Sequence, residues 1–215
     1  MKEMYNDETT ADVCFDVVNN SSDNESERRK KKAKSLTSFH AHRSILKKCA
    51  PMLAAICEHD DGSGMVAASI TDVKPEIFHH LLFYVYGGKV PEEELKTHAK
   101  DIIDAADKYS IVNLKLKAEA VYVESTKITL DNAVDNLLYA DAKNCALLKE
   151  SVMYFLAENS TDAAAKISFA DVPGHVVKDL LVVFSRNSKK DTNGTSGDEL
   201  TTLCVSALRR KLHKM

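Results

Sequence analysis

Residues 12–18, DVCFDVV, set Val13, Phe15 and Val17 on one side of the chain and Asp12, Cys14 and Asp16 on the other, the alternation of a half-buried strand. The polar residues 19–38 that follow are too many for a tight hairpin and predict a long loop, with a second strand over about Leu36–His40. From Ser44 the period becomes helical through Ile45, Leu46 and Cys49; Pro51 then opens a short second helix carrying Met52, Leu53 and Ile56. After Gly62 and Gly64, MVAASI alternates through Val66, Ala68 and Ile70 and predicts a third strand. Asp72 and Pro75 open a strongly periodic helix with Ile77, Phe78, Leu81, Leu82 and Val85 inward, stopped by Gly87 and Gly88.

The rest reads as helix over 97–109, 111–124, 130–141 and 144–157, each with one apolar stripe, with a further helix starting at Pro173 through Val177, Leu180 and Phe184. Residues 187–198 are polar and predict a linker. Residues 199–215 place Leu200, Leu203, Cys204, Ala207 and Leu208 at helical spacing ahead of Arg209, Arg210, Lys211 and Lys214, an amphipathic helix fit either for core or for a partner. A few strands followed by many helices make an α+β class. No repeat of solenoid period is present.

Length and composition change this picture little: 215 residues, 44% apolar and 28% charged, suffice for one domain with a helical extension or for two small domains. Charge changes it more. The net charge of -3 hides six cations within seven residues, Arg28, Arg29, Lys30, Lys31, Lys32 and Lys34, so the remainder is acidic and repels phosphate backbones. Nucleic-acid binding would have to rest on that run, which also reads as a nuclear-import signal or as a merely solvated loop. Ser21, Ser22 and Ser26 beside it are candidate phosphorylation sites. Five widely spaced cysteines, a charged opening and no apolar stretch of membrane-spanning length predict a reducing compartment, cytoplasmic or nuclear.

Chemistry-bearing constellations are scarce. His40 and His42, and His79 and His80, have no Cys or carboxylate at a metal-site spacing, and His42 is expected to bond backbone at a strand-to-helix corner. Gly87-Gly88-Lys89 lacks the first glycine and the hydroxyl residue of a phosphate loop, and no serine or cysteine sits in a nucleophile elbow. No catalytic role, cofactor or metal is predicted.

Three blocks carry a family resemblance. FHAHRSILKKCAPMLAAIC (39–57), ITDVKPEIFHHLLFYVYGGKV (70–90) and DIIDAADKYSIVNLKL (101–116) stand in the order of, and resemble, the signature segments of BTB/POZ domains, in particular those of the speckle-type POZ protein family of cullin-3 adapters. DNAVDNLLYADAKNCALLKESVMYFL (131–156) is similar to the helical pair, the three-box, that follows the BTB core in such adapters and opens into BACK domains; the likeness fades over 158–186. The resemblance implies a BTB/POZ fold over 1–125 with the loop 19–38 inserted, a three-box or BACK-like extension over 126–186, the linker 187–198 and the terminal helix 199–215.

It also implies a function: a non-enzymatic adapter whose BTB core docks on a cullin-3 scaffold while a protein substrate bound elsewhere is held near the ligase, so that effective concentration and orientation are its contribution. Cullin binders of this kind carry a hydrophobic-x-Glu motif after the Pro-led helix, matched here by Ile56 and Glu58; Tyr109 matches the second contact zone. The competing reading is that Ile56 covers the domain's own core and Glu58 is a solvated charge. Homodimerisation or heterodimerisation with another BTB protein is implied too, with Met4, Tyr5, Ile45 and Met52 as candidate surface; the short stretch ahead of Asp12 predicts a weaker dimer than in relatives with a leading helix. No substrate-reading MATH or Kelch domain fits, so the reader would be 158–215, the charged loop or a dimer partner. The alternative function is a BTB assembly module in transcription or scaffolding without a ligase.

Overall fold

A computed structural model describes residues 2–18, 36–57, 65–168 and 172–188. Glu58, the basic run Arg28–Lys34 with its neighbouring serines, nearly all of the linker and the terminal helix 199–215 lie outside the described residues. The chain divides into two compact units, Met1–Tyr122 and Val123–Met215.

In the first unit, β1 (Val13–Val18) is the middle of a three-stranded sheet, with β2 (Leu36–Ala41) antiparallel on one side and β3 (Val66–Ile70) parallel on the other. The pairing aligns Phe15 with Phe39 and Ala68, so each strand turns the same parity toward the core. Val13, Phe15, Val17, Phe39, Ala41, Val66, Ala68 and Ile70 are all buried, as the alternation predicted. The helices of this unit are α1 (Arg43–Cys49), α2 (Pro51–Ile56), α3 (Pro75–Val85), α4 (Glu92–Thr97), α5 (Ala99–Lys108) and α6 (Val112–Ser125), the last of which runs three residues past Tyr122.

α3 is the centre of the packing. Pro75 stands at its first turn, where its missing N–H costs nothing, and Ile77, Phe78, Leu81, Leu82 and Val85 are buried. The Phe78 ring meets Phe15 and Phe39, both at 5.3 Å, and Tyr109 at 6.4 Å, and so joins sheet, α3 and the end of α5 in one aromatic hub. The helix stops because Gly87 takes a φ of 80°, which lets the Gly88 N–H reach back to the Phe83 carbonyl at 2.9 Å. A Cβ on Gly88 would run into the Phe83 ring, so the second glycine is required by space rather than by φ.

The structure adds to the local readings at two places and corrects one. The helix predicted over 97–109 is α5, and ahead of it, separated at His98 (φ -115°, ψ 23°), stands a further helix, α4, which escaped notice because its sequence EEELKT buries only Leu95. Cys49 is exposed and Ile45 half-buried, since the buried stripe of this region runs through Leu46, Ala50, Leu53, Ala54 and Cys57 instead. α6 buries Leu114 and Ala118 as expected but leaves Val112 and Leu116 exposed one turn apart.

The second unit holds α7 (Leu130–Ala142), α8 (Ala146–Glu158), α9 (Ser160–Lys166) and α10 (Gly174–Ser188). Asn132 folds back to accept the Thr129 N–H at 2.9 Å and starts α7, and Asn144 (φ 50°) makes the tight turn into α8. Leu137, Leu148, Val152, Leu156, Val177, Leu180 and Phe184 form its core. α9 was not foreseen, because STDAAAK has no apolar residue larger than alanine to mark a buried face. A polar node ties three helices on their outer side: Lys149 of α8 bonds Asp141 of α7 at 3.0 Å and Asp179 of α10 at 2.8 Å, and His175 of α10 reaches the other Asp141 oxygen at 2.8 Å. Burial alone would raise the Asp141 pKa, but the Lys149 and His175 bonds outweigh it and hold the carboxyl below its ordinary value. Lys149 is likewise opposed by burial and raised on balance by its two carboxylates.

Candidate interaction site on the second helix

The segment 43–57 forms two short helices that meet at Ala50. Its inward stripe leaves the opposite side of α2 to face outward, and Met52 and Ile56, four residues apart, stand there 49% and 42% exposed. Beneath them Cys57 is buried, its Sγ 3.3 Å from the Leu53 carbonyl. Burial pushes that thiol's pKa up to about 11, Arg43 opposing and Asp12 adding to the effect, so it is a packing group and not a nucleophile. Ile56 is 42% exposed and stands outside the buried stripe; it closes the last turn of α2, two residues ahead of residue 58.

Tyr109 stands elsewhere. It is 1% exposed, packed on Phe78, and burial, with the charge of Asp72, raises its hydroxyl pKa. Lys108 sits 5.2 Å from its ring centroid and pairs with Asp72. The structure places the Tyr109 side chain in the core, with the half-exposed Lys108–Asp72 pair next to it at the surface. Its aromatic bulk in the segment DKYSIV, where Ser110 (φ 58°) turns the chain into α6, was the available signal for a buried hinge residue.

Of the candidate dimer residues, Met4 is 38% exposed, following a single 3₁₀ turn at Lys2–Met4, and Met52 shares the face of Ile56. Ile45 is half-buried. Tyr5 is occupied within its own chain: its ring packs edge-on against Phe83 (5.3 Å) and Tyr86 (5.9 Å), and its hydroxyl lies 2.6 Å from His79 Nδ1. His42 is buried at the predicted strand-to-helix corner, but its ring bonds hydroxyls rather than backbone, Tyr86 at Nδ1 and Thr10 at Nε2, each at 2.8 Å. These contacts join residues 32 to 74 positions apart, a separation at which no local pattern reveals them.

Among the described residues no three His, Cys, Asp or Glu side chains converge as a metal site requires, and no helix is long and apolar enough to cross a membrane. The described cysteines, Cys14, Cys49, Cys57 and Cys145, form no disulfide with one another.

Residues 32–126 match the family model of the BTB/POZ domain. Two mouse proteins are similar over 120 residues, 55% of this chain: TD and POZ domain-containing protein 5, 31% identical over a match that covers 35% of its length, and TD and POZ domain-containing protein 1, 30% identical over 32% of its length. The match thus spans about a third of each of these curated relatives. The matched span takes in β2, β3 and α1–α6, the whole setting of Met52 and Ile56. Together with the α+β architecture, this shows that the chain contains a BTB/POZ domain over residues 32–126, a protein-interaction module.

Proposed function

We propose that the chain is a substrate-recruiting adapter of a cullin-3 ubiquitin ligase, with the outward face of α2 as the scaffold-binding element. The observation that carries this reading is the 42% exposure of Ile56 at the end of α2, two residues ahead of Glu58 in the hydrophobic-x-Glu pattern. Ile56 and Met52 form an apolar pair on one outward face that the fold leaves uncovered and that a partner would cover. In this reading the adapter makes and breaks no bond; it raises the local concentration of a bound protein near the ligase.

The test is direct titration of the purified chain with the N-terminal region of cullin-3. Micromolar or tighter binding is expected, weakened about 10- to 100-fold by Ile56→Asp, the equivalent of roughly 1.5–3 kcal/mol for one buried aliphatic side chain. Absence of binding at high concentration overturns the proposal. A second reading, an assembly module acting in transcription or scaffolding through homodimers or heterodimers with the basic run directing nuclear import, has its own support in Met4 and Met52, large side chains that the chain itself leaves exposed. Sedimentation of the wild type and Met52→Asp distinguishes it: a dimer lost in the variant, without cullin binding, favours that reading.

A further inference from the structure

The side of α8 turned away from its core is apolar at two places and acidic beside them. Leu147 and Tyr154, two turns apart on one line along the helix, are 46% and 51% exposed, while Leu148, Val152, Met153 and Leu156 on the other side are buried. Glu158 continues that line one turn further and accepts the Tyr154 hydroxyl; Ser151 lies between the two apolar residues and the exposed Glu150 flanks them. Lys149, the one cation in the sequence of α8, is taken up by Asp141 and Asp179 on a different side. Among the described residues no cation pairs with Glu150 or Glu158.

Charge decides what fits this stripe. A second copy brings the same stripe, and in either orientation sets Glu150 of one copy beside Glu150 of the other with no cation between them. The cover must be apolar and basic, and the same unit carries such a segment. Residues 199–215, which lie outside the described residues, place Leu200, Leu203, Cys204, Ala207 and Leu208 at helical spacing and then Arg209, Arg210, Lys211 and Lys214. Reach does not limit them: α10 packs on α8 and ends at Ser188, and residues 189–198 can span about 33 Å, whereas α8 with its 13 residues is about 20 Å long. Register then selects a direction. Leu147 to Glu158 and Leu200 to Lys211 cover equal lengths of helix. Laid parallel, Leu200 meets Leu147, Cys204 meets Ser151, the small Ala207 leaves room for the Tyr154 ring, and Lys211 comes to Glu158. Laid antiparallel, Leu200 sits on Glu158 and Lys211 on Leu147, a mismatch at both ends.

We propose that residues 199–215 dock as an amphipathic helix on the Leu147–Tyr154–Glu158 stripe of their own unit, parallel to α8. Apolar contact with Leu147 and Tyr154 holds the segment, and the pairing of Lys211 with Glu158 sets its direction. The docking has a regulatory consequence: while the segment is seated, Leu200, Leu203 and Lys211 are turned to its own chain and withheld from an outside partner, and a competitor that takes the stripe releases them.

Amide hydrogen exchange on the full chain tests this. In the wild type the amides of residues 203–211 should exchange about tenfold more slowly than in an unfolded peptide. Tyr154→Asp, at an exposed position, and Leu203→Asp, in the segment itself, should each return them to the unfolded rate while the amides of α7 and α8 keep their protection. Lys211→Glu should lower the protection, and Glu158→Lys added to it should restore it. Oxidation of the Ser151→Cys variant should join residue 151 to Cys204 within one chain, as peptide mapping reads. Unfolded rates throughout 203–211 in the wild type, protection that survives Tyr154→Asp, or protection that rises with protein concentration, the mark of another copy's segment in the seat, would each overturn the proposal. So would a charge exchange that restores nothing, or an oxidised variant without the intrachain link.

Discussion

The two units of the chain reach a packed core by different routes. In Met1–Tyr122 one ring, Phe78, touches the sheet through Phe15 and Phe39 and the end of α5 through Tyr109, and bonds between hydroxyls and imidazoles fasten the margins. In Val123–Met215 the core is a run of aliphatic positions repeated on successive helices, Leu137, Leu148, Val152, Leu156 and Leu180, with one node of charges on the outside. A hub concentrates the stability of a unit in one place; a stripe spreads it. The difference teaches where each unit is vulnerable, and it sets the order of the following expectations.

Phe78→Ala should have the largest effect. Removing a fully buried phenylalanine costs about 3–5 kcal/mol, of the order of half or more of the stability of an ordinary domain. Urea unfolding followed by hydrogen exchange should show the amides of β1, β2 and α3 losing protection together, with the amides of α7 and α8 much less affected. Should the loss stay near 1 kcal/mol, the hub is redundant and the contrast between the units disappears.

The charge node of the second unit should matter less and should carry a pH signature. Asp141 has a folded pKa below its unfolded value, so the node stabilises above the ordinary carboxylate range and loses that contribution as pH falls through the folded pKa. Lys149, raised on folding, contributes below the ordinary lysine value and loses its part as pH rises through the folded one. Both side chains are less than a quarter exposed, yet the node is at a surface, and its worth is about 1 kcal/mol. Asp141→Asn should therefore destabilise the unit by about that amount at neutral pH and flatten the acid side of its stability profile; an unchanged profile in denaturant titrations from about pH 3 to 7 would assign the acid response to other groups.

How much of this was legible beforehand depended on whether a residue's partners lie near it in sequence. The alternation at Val13, Phe15 and Val17 and the stripe through Ile77, Phe78 and Leu81 set the strands and the central helix, because burial at period 2 or 3.6 is written locally. α4 and α9 were missed for the converse reason: EEELKT and STDAAAK bury one leucine and one alanine respectively among the side chains described. Pattern alone also could not decide which apolar residue of a short helix points away. Met52, Leu53 and Ile56 look alike in sequence, and only the continuation of the buried set from Leu46 through Ala50 and Leu53 to Cys57 leaves Ile56 outside and Leu53 in. Tyr109 differs in the opposite sense, since a family position suggested contact while its ring packs on Phe78 and is 1% exposed. The contacts of the segment ahead of β1 were illegible, as they join Tyr5, Asn6 and Thr10 to residues 32–74 positions away.

The smallest expected effect on stability is the most informative about the interaction site. Ile56 and Leu53 are both large aliphatics on a six-residue helix, three positions apart, yet Leu53 is fully buried and Ile56 is 42% exposed. Replacing Leu53 with alanine removes packed contacts and should cost about 2–5 kcal/mol. Ile56→Asp removes little that the folded chain uses, and the acid is hydrated in both states, so its midpoint in urea should move by an amount equivalent to no more than about 0.5 kcal/mol. A near-neutral Ile56→Asp would show that the fold does not depend on this side chain, so that loss of cullin binding in the same variant is assigned to the contact itself. If the variant instead loses as much as the Leu53 one, Ile56 serves its own domain after all, and the outward face of α2 has no claim to be a docking site.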